Sequence, residues 1–297
     1  MLHDATPAEL IRSGNGGYAV GERLAHGKFG AVYACWDEWG FPRVLRIVRP
    51  FSRSYENVRE RWSQQAAELR RHQHPNLVHV FDSFEHDGRF HLVTERCDHR
   101  LNSLLDSPPW DAMRWFKIVA RPVLCALEEV HRSGYTHKNL HPRNVLFSLD
   151  PNLLPPDELP SGAAKLADLE VNTLLGNVDV LNTKVSRWLV PPEYLSPSEC
   201  GPMDHRVDVY QAGLLLLCLL RGRIVRYSFE DIAVGKPARD AAALASEHGP
   251  AVARALQLKV ADRFDSALEL WRALDGSPSV AEPTAELETR SSGSDFR

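Results

Sequence analysis

Strands fill the first third of this 297-residue chain and helices most of the rest, and that order limits the fold more than any other feature. β-rich runs cover 18–24, 31–36, 44–48, 77–81 and 90–93, separated by glycine, proline and polar turns. A proline-free run over 55–72, rich in Glu, Arg, Gln and Ala, predicts one helix among them. Helical patterns then take over at 112–131, 208–220, 241–258 and 266–274. Strands followed by helices predict an α+β protein, and the length suits either one large domain or two lobes around a cleft.

Composition removes several function classes. A net charge of −4 leaves no basic footprint for nucleic acid. The five cysteines, Cys35, Cys97, Cys125, Cys200 and Cys218, form no C-x-x-C pair, which argues against zinc and disulfides and suits a reducing, cytoplasmic setting. No leader pattern opens the chain, and the longest apolar run, 212–220, is too short for a bilayer and predicts a buried helix. No membrane partner is expected. Histidines His72, His74, His79 and His86 lack the spacing of a helix-borne metal pair and are read as surface or core residues.

The densest motif is Tyr135-Thr136-His137-Lys138-Asn139-Leu140-His141-Pro142-Arg143-Asn144-Val145-Leu146. It resembles the catalytic loop of protein kinases, H-R-D-L-x-x-x-N, with Asn139 in place of aspartate. Other segments follow in the order of that family. Leu24-Ala25-His26-Gly27-Lys28-Phe29-Gly30-Ala31-Val32 is similar to the glycine-rich loop with its first glycine replaced. Arg43-Val44-Leu45-Arg46 stands where V-A-I-K would, and His74-Pro75-Asn76 follows the small-lobe helix. Thr94-Glu95-Arg96-Cys97 resembles the hinge. Lys165-Leu166-Ala167-Asp168-Leu169-Glu170 is similar to K-L-x-D-F-G, and Pro191-Pro192-Glu193 to A-P-E. Asp208 and Gly213 open the central helix of the larger lobe, and Arg263 sits where an arginine pairs with Glu193.

The resemblance implies a bilobal fold: a small antiparallel β-sheet lobe with one helix, and a larger, mainly helical lobe. It divides the chain into an N-terminal extension at 1–17 ending in a flexible loop, the small lobe and hinge at 18–97, the large lobe at 98–274 and a disordered tail at 275–297. A Pro-rich insertion over 150–160 reads as a surface loop. Leu24, Gly27, Lys28, Gly30, Val32, Val44, Arg46, Glu95, Cys97 and Leu146 then line a nucleotide cleft, with Thr94 as its gatekeeper. Asn144 and Asp168 are the implied magnesium ligands. Thr173, Thr183 and Ser186 lie in the activation-like segment as candidate phosphorylation sites.

The departures gather at the chemistry. Asn139 replaces the base that accepts a hydroxyl proton, and an amide takes no proton near neutral pH. Arg46 replaces the phosphate lysine, with charge kept but geometry changed. Gln65 replaces the lysine's glutamate partner, and Glu68 lies one turn along as a substitute. Lys138 and His141 replace two further basic positions, and Glu170 replaces a glycine. Scaffold positions are spared. The pattern implies a pseudokinase, a regulatory or scaffold module with a protein partner, whose Mg-ATP binding is weak or absent. Lys28 is the one residue in the glycine loop able to stand in for the lysine, against a plainer reading as a solvated side chain. The alternatives are an atypical active Ser/Thr protein kinase or the transfer of AMP on the same fold.

Overall fold

The computed structural model describes residues 9–27, 30–48, 73–105, 110–153, 162–169 and 189–276, with Tyr55, Glu56, Arg59, Glu60, Trp62, Arg70, Pro155 and 158–160. Four expected strands appear with extended bounds and the one expected at 77–81 is shifted: β2 (Gly16–Gly27), β3 (Gly30–Asp37), β4 (Pro42–Val48), the shifted β5 (Val80–His86) and β6 (Arg89–Glu95). With β1 (Glu9–Ser13) they form one antiparallel sheet in the order β1-β2-β3-β4-β6-β5. The described residues of the run 55–72 are helical, and Trp62 stacks on Phe90 at 4.9 Å.

β1 corrects the reading of residues 1–17 as an extension ending in a loose loop. Ser13 and Gly16 face each other across a tight hairpin, and Ile11 pairs with Tyr18. The partner that fixes β1 lies far along the chain. Asp82, only 1% exposed, accepts from Ser13 Oγ at 2.6 Å, Asn15 Nδ2 at 2.8 Å and Tyr18 Oη at 3.1 Å. The carboxylate ties the first hairpin to β5, and Ile11, Tyr18, Cys35, Leu45 and Val93 form a separate apolar core under it. An Asp82→Ala variant strips four donors, Ser83 N among them, of their acceptor and removes the ion pair with Arg70 along with the buried charge. Its cost is expected to be roughly 2 kcal/mol in urea denaturation; a loss within error of zero contradicts this role.

The second expected correction concerns 77–81. Val78 N donates to Leu166 O at 3.0 Å, so this stretch bridges to the other lobe and β5 begins only at Val80. Asn76 reinforces that seam, its side chain donating to Ala164 O at 2.9 Å and its carbonyl accepting from Leu166 N at 2.8 Å.

The second lobe opens with β7 (His99–Arg100), α1 (Leu101–Leu105) and α2 (Ala112–Arg132). Strands β8 (Val145–Phe147) and β9 (Ala164–Leu166) complete a small β7-β8-β9 sheet. Helices follow: α3 (Pro192–Leu195), α4 (Pro197–Cys200), α5 (Arg206–Arg221), α6 (Phe229–Ala233), α7 (Lys236–Ala242), α8 (Gly249–Ala255) and α9 (Ala267–Asp275). The single helix expected over 241–258 is therefore interrupted. Pro250 sits in the first turn of α8, where its missing N–H is harmless, but it cannot extend an incoming helix. The apolar run 212–220 lies in α5, buried from Ala212 to Leu219. At Gly213 a Cβ would meet Leu256 Cγ at 2.9 Å, so the glycine lets α5 and the end of α8 come close.

Part of the Pro-rich insertion docks on its own lobe: Pro151 O accepts from Arg114 Nη2 at 2.6 Å, and Leu159 packs against the core, while Leu153 stays exposed. Among the described residues no helix is long and apolar enough to cross a membrane.

Candidate active site

Asp208, fully buried in the first turn of α5, organises the loop between α2 and β8. Its Oδ2 accepts from His137 N at 2.7 Å and its Oδ1 from Lys138 N at 2.6 Å; His131 Nε2 lies 2.9 Å from Oδ2. These bonds hold Lys138 in the left-handed region at φ 60°, a conformation a side chain rarely adopts. Gln211, one turn on, receives Leu140 N on its Oε1 at 2.9 Å and donates to the carbonyls of Lys138 and Leu189, each at 3.2 Å.

The same loop is tied to the segment just after β9 that carries Asp168. His137 Nε2 donates to Ala167 O at 2.8 Å, which leaves Nδ1 to accept from Asn139 N at 3.3 Å. Ala167 N donates to Asn144 O at 2.8 Å, and Asn144 Nδ2 donates to Asn139 O at 2.9 Å. Asn139, Asn144 and Asp168 are thus brought together, as the motif spacing predicts.

The imidazoles beside them are neutral. Burial pushes His141 down to about 4, against a smaller upward pull from Asp168, and its Nδ1 accepts from Arg143 N at 3.0 Å. His137, also buried, is lowered too. The basic position taken by His141 therefore carries no charge at neutral pH. The unfolded imidazole protonates near 6.5 while the folded one waits until about 4. As pH falls through that window the unfolded chain gains a proton that the folded chain refuses, so stability drops. His141 alone should remove on the order of 2–3 kcal/mol between pH 7 and pH 4. His141→Asn keeps an acceptor for Arg143 N and should flatten that share of the slope in pH-dependent denaturation. Parallel profiles for the two proteins would sink the assignment.

Across the cleft, Arg46 Nη2 reaches Asp168 Oδ1 at 2.5 Å. Burial alone would raise the Asp168 carboxyl; the guanidinium and its hydrogen bond outweigh it and hold the group below the usual carboxylate range. Asp168 itself is left-handed, at φ 69°. The arginine at the lysine position thus contacts the candidate metal-binding carboxylate directly.

The sheet places the other cleft residues. Val32 pairs with Arg46 and Arg46 with Leu92, while Val44 pairs with Thr94, so all lie on one face of β3, β4 and β6. Val32 and Val44 are half-buried, as is Leu146 from the other lobe. Gly30 needs its missing side chain, since at φ 143° a Cβ would fall 1.8 Å from Ile47 O. Gly27 pairs with Gly30 at the hairpin end, and Leu24 is exposed on β2. At the hinge, Glu95 accepts Lys165 Nζ at 3.0 Å and His79 N at 2.8 Å, and burial raises the Cys97 thiol to about 12, away from thiolate chemistry.

Lys28, Gln65, Glu68, Glu170, Thr173, Thr183, Ser186, His72 and the tail from 277 lie outside the described residues. His74, His79 and His86 stay half-buried, and among the described residues no three His, Cys, Asp or Glu side chains converge as a metal cluster. Two residues escaped the sequence reading as site residues. Gln211 stands three positions after Asp208 on the same helix face, a spacing that signals a shared target. Lys165, within the motif already noted, forms a further interlobe link, to Glu95.

Comparison with known proteins agrees with this geometry. The model of the protein kinase domain family matches residues 18–249. Serine/threonine-protein kinase pkn3 of Myxococcus xanthus is 27% identical over 250 residues, 82% of this chain and 43% of the relative. A probable serine/threonine-protein kinase of Corynebacterium efficiens is 27% identical over 215 residues, 69% of this chain and 31% of the relative. The chain spans less than half the length of these curated relatives. The crystal structure of the Mycobacterium tuberculosis PknI kinase domain superposes with a TM-score of 0.63 at 22% identity, covering 88% of this chain and 96% of that one, a likeness of fold. With Asp208 holding the loop, Arg263 on Glu193 and a family match across most of its length, this chain belongs to the protein kinase family.

Proposed function

We propose that this protein kinase domain is catalytically impaired and acts as a regulatory or scaffold module through a protein partner. The observation that carries the reading is the Arg46–Asp168 ion pair in a site whose proton-acceptor position is Asn139. Loss of a general base typically removes ~10²–10⁴-fold in rate. Phosphoryl transfer depends mainly on positioning and charge. Here the arginine is spent on the carboxylate, and His141 adds no positive charge.

Protein kinases generally use Mg-ATP. The hinge and the half-buried Val32, Val44 and Leu146 suit the base of a nucleotide, but Asp168, already paired with Arg46, does not suit magnesium. The five unpaired cysteines agree with a reducing compartment, and we place the domain in the cytoplasm.

Mass spectrometry of the protein and of generic protein substrates after incubation with Mg-ATP tests the reading. Unchanged masses are expected. Added phosphate that disappears in Asp168→Ala returns the protein to the active Ser/Thr kinases, and added AMP assigns the other transfer.

A further inference from the structure

The cleft combines an apolar strip with a charged end whose two members neutralise one another. Arg46 shares its row of the sheet with Val32 and Leu92, and Val44 stands two residues before it on the same face. Leu92, Ala34 and Thr94 on that face are buried, whereas Val32 and Val44 keep part of their surface open. From the opposite lobe, Leu146 pairs in register with Lys165, which is bonded to Glu95 at the hinge. The apolar strip therefore runs from the hinge towards the Arg46–Asp168 pair.

Magnesium dehydrates reluctantly and is normally held by one or two carboxylates together with substrate phosphates. In this cleft the Asp168 carboxylate already carries a guanidinium at 2.5 Å. Asn144, the other implied ligand, is neutral: its amide N–H goes to Asn139 O, so it brings an amide oxygen and no charge to a cation. Glu95, the carboxylate at the hinge, is bonded to Lys165 and to His79 N. A divalent ion on this carboxylate would sit beside the permanent positive charge of Arg46. An arginine, by contrast, stays charged at every working pH and matches phosphate oxygens with its planar fork.

We propose that this cleft binds a purine nucleotide without a divalent cation, the Arg46–Asp168 pair standing where the metal would otherwise be. The base takes the strip of Val32, Val44 and Leu146, and the phosphates meet the guanidinium. The proposal extends the reading of the same cleft, but its outcome is independent of whether phosphate is transferred.

Isothermal titration of the purified chain with ATP and with adenosine, each in EDTA and in excess magnesium, tests it. ATP affinity in EDTA should equal or exceed that in magnesium. Arg46→Gln should weaken ATP at least tenfold and leave adenosine unchanged, and Asp168→Asn, which releases the guanidinium, should tighten ATP. Affinity at least tenfold higher with magnesium overturns the proposal. So does absence of binding in both conditions, a result that leaves the impaired-kinase reading standing. Incorporation of phosphate fails that reading without touching this comparison.

Discussion

Replacing Arg263 by alanine is expected to be among the most damaging single changes in the large lobe. Its guanidinium meets Glu193 through two bonds, Nη1 to Oε1 at 2.8 Å and Nη2 to Oε2 at 2.6 Å, and neither side chain has any exposed surface. It also donates to the carbonyls of Gln257 at 2.9 Å, Arg206 at 3.2 Å and Leu258 at 3.3 Å, and its Cζ lies 4.8 Å from the Tyr210 ring centre. Removing one partner of such a pair leaves a buried carboxylate uncompensated, which typically costs ~3–5 kcal/mol. For a protein of this size that corresponds to a fall in melting temperature of roughly 10 °C. Arg263→Met paired with Glu193→Leu should recover much of the loss, because the isolated charge is gone. Calorimetry checks both. A single variant that melts within a degree of the parent, or a double variant worse than either single one, contradicts the assignment.

A second large effect is expected at Asp208. Its carboxylate accepts from His137 N and Lys138 N and contacts His131, all without solvent. Asp208→Ala removes the carboxylate that accepts from two backbone N–H groups, each bond worth about 1–3 kcal/mol, in a turn where Lys138 already holds an unfavourable backbone conformation. A loss of roughly 3–5 kcal/mol follows once the His131 contact is included. The turn should open first, so amide hydrogen exchange at His137, Lys138 and Leu140 should accelerate even under conditions where the fold persists. Asp208→Asn keeps acceptor capacity and should lose less. Unchanged protection at those three amides in Asp208→Ala would show that the carboxylate does not hold the loop.

The sequence disclosed the scaffold because its residues stand in short motifs with fixed order, although the contacts they make join positions 70 and 71 apart. Asp208, Gly213, His137, Glu193 and Arg263 occur at recognisable spacings, and the structure uses them for closely packed or fully buried contacts. The five β-rich runs were also legible, as turns and β-branched residues punctuate them. β1 was not: a five-residue strand held by Asp82, 64 to 69 positions away, carries little signal of its own. The break between α7 and α8 was written at Gly249-Pro250, but the surrounding alanines favour helix strongly enough to mask it.

At the site, both Arg46 and Asp168 could be picked out individually. Their contact could not, because it joins residues 122 positions apart and is set by how the two lobes meet. The expectation that Asp168 and Asn144 hold a metal concerns the carboxylate and the amide oxygen, and their neighbours could not be read from the motifs. In the folded chain Arg46 meets Asp168 Oδ1, and Asn144 donates its amide N–H to Asn139 O. Gln211 was overlooked for a related reason, since a glutamine on a helix announces nothing until the carbonyls and N–H groups around it are known.

The most direct measurement is the single-turnover rate of phosphate transfer by the unmodified chain in saturating Mg-ATP, set beside that of Asp168→Ala. Active kinases turn over at roughly 1–100 per second. The replaced proton acceptor and the arginine-bound carboxylate predict no rate above the Asp168→Ala background. A rate within that ordinary range, abolished by Asp168→Ala, would contradict the account.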